Sequence, residues 1–117
     1  MNNDTVDQSI QKIRGGLFIG VEDGIHNVEG TATIIPLIDN STIIRLENLM
    51  ATNGPDLHIY LATDNTATDF VDVGKLKANN GNQNYDILLG TDLSKYDTVL
   101  IWCKAFSVLF GSADLRI

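Results

Sequence analysis

The chain has 117 residues, 44% of them hydrophobic and 20% charged; that is one domain's worth of sequence, neither disordered nor collagen-like. Eight basic residues against fifteen acidic ones leave a formal charge of −7, which argues against a nucleic-acid partner or an anionic lipid surface, since both are met with Lys and Arg. The single cysteine, Cys103, excludes an intramolecular disulfide and any zinc site built on two or more thiolates, and no apolar run reaches the roughly 18 residues needed to span a bilayer.

Val, Ile and Thr number 30, while Ala, Glu and Lys number 15. β-branched side chains suit a pleated surface and lose rotamer freedom in a helix, so β structure is expected. Asp, Asn and Gly number 33 and cluster between the apolar runs, as turn residues do. Residues 1–15 read as a tail or short helix ahead of a β domain over 16–117, and their polar opening predicts no signal peptide in this chain. Residues 17–21 form a short strand and 29–37 a second, with Pro36 marking an edge or a strand end. Asp39-Asn40 turns this strand into a third at 42–48, making a hairpin.

Asn53-Gly54-Pro55-Asp56 is a strong turn. After it, Leu57, Ile59 and Leu61 alternate with His58 and Tyr60, so the first set faces inward. A polar loop is expected over 64–72, a short strand over 73–76 and an Asn/Gly-rich loop over 79–84. Residues 85–89 form a strand and 92–96 one helical turn. Residues 98–104 are almost wholly apolar, as in a strand buried on both faces. The stretch 106–110 alternates again, with Phe106 and Phe110 on one face, and 113–117 closes the chain. About eight short strands with no long helix predict an all-β, single-domain antiparallel β-sandwich or partly closed barrel.

Among the side chains with chemistry, Cys103 comes first. A thiolate serves in redox reactions, metal binding or nucleophilic attack. Cys103 nevertheless shares a strand face with Val99 and Ile101, the company of a buried and inert thiol, although Lys104 beside it places it near a strand end. His26, His58, Cys103 and Met50 are the ligand types of a blue-copper site. That reading lacks support in spacing, because neither His nor Met follows Cys103. Haem needs only one or two axial ligands from His, Cys or Met, so the residue types allow it. Asp64, Asn65, Asp69 and Asp72 resemble the oxygen donors of a calcium loop, without the spacing of an EF-hand. Trp102, Phe106 and Phe110 either line a flat cofactor or fill the core, the commoner fate of such rings. G-x-S-x-G, H-E-x-x-H and phosphate-binding glycine loops are all missing; Gly15-Gly16 precedes a strand rather than a helix. No hydrolase or transferase is predicted, and whether the chain is an enzyme is left open, with a non-enzyme favoured.

The order of the segments carries more than any one of them. Gly16-Leu17-Phe18 is followed by His26 and Gly30-Thr31-Ala32-Thr33-Ile34, then by Leu46-Glu47-Asn48-Leu49. Asn53-Gly54-Pro55-Asp56-Leu57-His58-Ile59-Tyr60-Leu61 comes next, then Gly81-Asn82-Gln83-Asn84-Tyr85. The last is the run from Val99 through Trp102-Cys103-Lys104-Ala105-Phe106-Ser107-Val108-Leu109-Phe110-Gly111-Ser112-Ala113. Over residues 16–117 this resembles the DM-thirteen domain, a small all-β module found beside DOMON domains. The resemblance implies a compact β-sandwich or barrel and a role in electron transfer. It makes Cys103 the redox thiol or a haem ligand; by residue type, His58 and His26 are the auxiliary cofactor-binding candidates beside it. It also implies export or a cell-surface location, and a redox partner or cell-surface protein as the partner. One thiol cannot run a dithiol–disulfide cycle alone. The alternative is therefore a non-catalytic binding or adhesion module with a structural Cys103, whose recognition surfaces would be the loops at 53–60 and 64–72.

Overall fold

A computed structural model describes residues 13–116. The tail or short helix expected at the start of the chain falls almost wholly outside them. The described residues form nine strands and no helix: β1 Arg14–Leu17, β2 Ile19–Gly20, β3 Val28–Pro36, β4 Thr42–Ala51, β5 Leu57–Ala62, β6 Phe70–Lys75, β7 Asn80–Ile87, β8 Thr98–Cys103 and β9 Val108–Asp114. They make two sheets, in the orders β1-β3-β4-β7 and β2-β9-β8-β5-β6, and every pairing is antiparallel. Alternate side chains from each sheet meet in one core. Ala32, Ile34, Ile44, Leu46 and Tyr85 come from the first sheet, and Leu57, Ile59, Leu61, Val99 and Ile101 from the second. This is the expected all-β sandwich, with no closed barrel.

Several elements differ from the sequence expectation. The strand expected at 17–21 is two: β1 pairs with β3, then the chain crosses at Phe18 and β2 pairs with β9. The Asn/Gly-rich stretch expected as a loop at 79–84 belongs to strand β7. Asn and Gly are depleted in strands, but here Gln83, Tyr85 and Ile87 face inward in strict alternation while Asn82 and Asn84 face out. Gln83 is buried and fully engaged: its Nε2 donates to Ala78 O at 2.9 Å, and its Oε1 accepts from the Tyr85 hydroxyl at 2.5 Å. The polar loop expected over 64–72 ends early, because β6 starts at Phe70. Phe106 stands in an exposed turn rather than on a strand face with Phe110. The segment 92–96 does make the single helical turn expected of it, closed by Tyr96 N donating to Asp92 O at 2.9 Å.

Strand β4 outruns its expected end at Asn48 because a bulge resets its phase. Ile44 and Leu46 face the core, then Leu49 and Ala51 do, one residue out of step. Asn48 takes up the extra residue at φ +53, and its N–H is accepted by Asn82 Oδ1 at 2.8 Å. An inserted residue that bends the strand and shifts the alternation is what a bulge does.

Candidate functional site

The connection from β4 to β5, residues 53–56, crosses one end of the sandwich above the last residue of β8. Asp56 sits there at φ +58, a conformation that Asp tolerates better than most residues. Its carbonyl accepts Lys104 N–H at 3.0 Å, tying the connection to the β8–β9 turn. Gly54 is packed on the Phe110 ring, which would lie 2.7 Å from any Cβ placed there. On the same ring lies His26, with the two centroids 4.2 Å apart.

Cys103 lies beneath this connection. Register pairs it with Leu57 and Val108, and its side chain joins Val99 and Ile101 in the core at 1% exposure. Its thiol donates to Pro55 O at 3.0 Å. A strand end can lie at a rim, but here the 53–56 connection covers it. Replacing Cys103 with Ser keeps a donor for Pro55 O and nearly the same volume. We expect that variant to fold and to lose about 1–2 kcal/mol, measured by urea denaturation. A loss well above that range would mean the thiol's packing matters more than its hydrogen bond.

His58 is on the opposite, outward face of the same sheet, paired in register with Trp102. It is nonetheless buried, at 7% exposure. Its Nδ1 is 3.0 Å from Asp72 Oδ1 and its Nε2 is 3.0 Å from Asp56 Oδ1. Carboxylates only accept, and a neutral imidazole has one N–H, so both contacts are hydrogen bonds only when the ring carries both protons. The hydrogen bond from His58 is the main reason that the Asp56 carboxyl is held below its usual range, with Lys75 and Lys104 adding to it. Beside His58, Tyr60 stands between Phe70 and Trp102, with centroid distances of 4.1 and 5.9 Å and near-parallel rings. Tyr60 and Trp102, with Ala62 and Leu100, form a second, smaller apolar cluster on the outside of the sheet, and Phe70 stacks on its Tyr60. Burial and the nearby Asp72 and Asp56 charges push the Tyr60 phenol's pKa up.

The three residues singled out as cofactor candidates are therefore not assembled. The sheet separates Cys103 from His58, and both ring nitrogens of His58 are engaged. His26 is held by Asp23, whose Oδ2 is 2.5 Å from Nδ1; backbone N–H groups of His26 and Ile25 lower the Asp23 pKa to about 2. His26 lines a shallow cleft of about 370 Å³ with Ile19, Val21 and Ile25. Met50 points to solvent from the other sheet, so the four copper-type ligands do not converge.

Haem does not fit these residues. The Cys103 thiol is covered and hydrogen-bonded, and it lines none of four of the best-formed clefts among the described residues. Trp102 is committed to the ring stack, and Phe106 stands away from it in its turn. The acidic loop fares no better as a calcium site. Asp64 accepts from Thr66, Asp69 from Tyr96 and Lys95, and Asp72 from His58. Among the described residues no three His, Cys, Asp or Glu side chains are grouped to hold a metal ion.

The residues that the sequence did not single out are Asp56, Lys104 and the Phe70–Tyr60 pair. The signal for Asp56 was its i, i+2 spacing from His58, which puts both on one face where the chain enters the strand. Phe70 carried no such signal, because its strand was read as loop.

No curated protein and no solved structure matches this chain. A family model described as "Electron transfer DM13" matches residues 18–115, a span that takes in His26, the 53–56 connection, His58 and Cys103. The chain belongs to the DM13 family.

Proposed function

We propose that this protein is an electron-transfer module outside the cytoplasm, working through Cys103 with a partner that supplies the second sulfur. The family match over residues 18–115 carries the reading. Cys103 is the only thiol in the chain, and it sits at the end of a strand rather than mid-strand, under one short connection. Chemistry that balances with one thiol is exchange. The Cys103 thiolate attacks a partner disulfide, one S–S bond forms to Cys103, and the partner's other sulfur leaves as a thiolate. A second thiolate then attacks the mixed disulfide and restores Cys103. A redox partner or cell-surface protein would supply those sulfurs.

A specific observation favours a second reading. The thiol is 1% exposed and its hydrogen bond is satisfied. That suits a structural cysteine in a non-catalytic binding or adhesion module. Incubating the folded protein with a low-mass disulfide and following intact mass separates the two. We expect one adduct on the native protein and none on Cys103→Ser. An adduct that forms only in denaturant would establish the structural reading instead.

A further inference from the structure

We propose that His58 is a pH-sensitive clasp that fastens the 53–56 connection to edge strand β6. The ring bridges two separate pieces of chain, Asp56 from the connection and Asp72 from β6, each at 3.0 Å. The groups facing it are these two carboxylates, the Tyr60 phenol on its own strand, Lys75 from β6 and Lys104 from the β8–β9 turn. Lys75 Nζ is 3.7 Å from Asp56 and Lys104 Nζ is 3.7 Å from Asp72. Both lysines are largely exposed, so their pairings are screened and weak. His58 is buried, and among the described residues it alone touches both carboxylates.

The remaining ties on the connection are few. Among the described residues they are Lys104 N–H to Asp56 O, the Cys103 thiol to Pro55 O and Gly54 against Phe110, with Thr52 just before them anchored by two hydrogen bonds to Asn27. Asp56 is held at φ +58, a conformation it would leave on release. Between the connection and the end of β6 is a cleft of about 320 Å³, lined by Asn53, Gly54, Asp56, Lys75 and Lys77, which gives the connection room to move. The clasp is complete only with both carboxylates ionised and both ring nitrogens protonated. It fails at low pH, as Asp56 takes a proton at its depressed pKa. It weakens again at high pH, where a neutral ring keeps one N–H for two acceptors. An open clasp lifts Pro55 off the thiol, yet the clasp stands whether or not Cys103 carries electrons.

Hydrogen exchange resolved to single amides tests this without using the thiol. In the native protein, with exchange corrected for its intrinsic pH dependence, Lys104 N–H should be best protected at mildly acidic pH, where carboxylates are ionised and an imidazole ordinarily carries both protons, and lose protection on both sides. The Ile101 amide, inside β8, should not follow it. Asp56→Asn preserves shape and suits the positive φ, but removes the charge. It should speed Lys104 exchange at least tenfold at that mildly acidic pH and leave Ile101 unchanged. Equal protection of Lys104 in the two proteins would overturn the clasp, as would a parallel loss at Lys104 and Ile101. Should Asp56→Asn fail to fold, the pH profile of the native protein decides alone. Failure here leaves the disulfide-exchange result standing, and the reverse also holds.

Discussion

Gly30→Ala is expected to lower stability by about 3–4 kcal/mol, near the upper end for a single substitution, and the melting temperature by about 15 °C. Gly30 lies in β3 at φ +111, where register with β4 slips between Glu29 and Thr31. One effect of a new methyl favours folding and two oppose it. Alanine restricts the unfolded chain, which favours folding by about 0.4–1 kcal/mol. Against this, φ +111 is outside what an L side chain adopts without strain of about 1–3 kcal/mol. The methyl would also lie 2.6 Å from Glu47 O and 2.7 Å from Asn48 O. Those oxygens are backbone, so no rotamer change relieves the contact. The opposing pair of effects wins. Gly90→Ala is the control: its φ is +87 and a Cβ there meets nothing within 4 Å. It should cost only the conformational strain, about 1–2 kcal/mol. Thermal melts of both variants measure the difference; equal losses would mean that the bulge relaxes around the methyl.

The same bulges mark the limit of what could be read from the sequence. Strand β5 was legible because Leu57, Ile59 and Leu61 alternate along it, and β8 because it is a continuous apolar run, buried on both faces. Asn48 was misread as a strand end, since the alternation that defines a strand breaks where a residue is inserted. Strand β7 was hidden differently. Its outward face is Asn and Asp, and its pairing is fixed by its neighbour β4 and by Gln83, which no local pattern reports. Phe106 was misplaced because a turn at 104–107, with Ser107 at φ +53, shifts the start of β9 to Val108.

Of the candidate site, the residue identities were legible but not their grouping. Cys103, His26 and His58 stand out because they are scarce. Spacing along the chain does not say that a sheet lies between Cys103 and His58. Nor does it say that a covering loop satisfies the thiol. The partners of His58 arrive from two directions, one local at Asp56 and one from β6, and only the local one is visible as a spacing. Burial of a histidine on an outward face was also hidden, since the rings of Tyr60 and Trp102 beside it raise a second apolar layer there.

Ile101→Ala is expected to cost about 3–4 kcal/mol, within the range for deleting a buried Ile side chain. Ile101 is fully buried on β8, the middle strand of its sheet, with Ile59 opposite on one side and Gly111 on the other. Gly111 brings no side chain to help fill the gap. Its own space is already occupied by Val28, whose Cβ would lie 2.6 Å from a Cβ at that position. A cavity at 101 therefore has little to collapse into it, which puts the cost above that of a site that can relax. Domains of this size are stable by about 5–15 kcal/mol, so the loss takes a large share and urea denaturation will show it. Cys103 is two residues along the same face, and its reactivity reports how the cover opens. In Ile101→Ala, labelling of Cys103 should rise with global unfolding and show the full urea dependence of the midpoint transition. In Asp56→Asn, it should rise with almost no urea dependence, because only the 53–56 connection moves. If both variants give the steep dependence, the connection never opens by itself, and Cys103 is reached only by unfolding the sandwich.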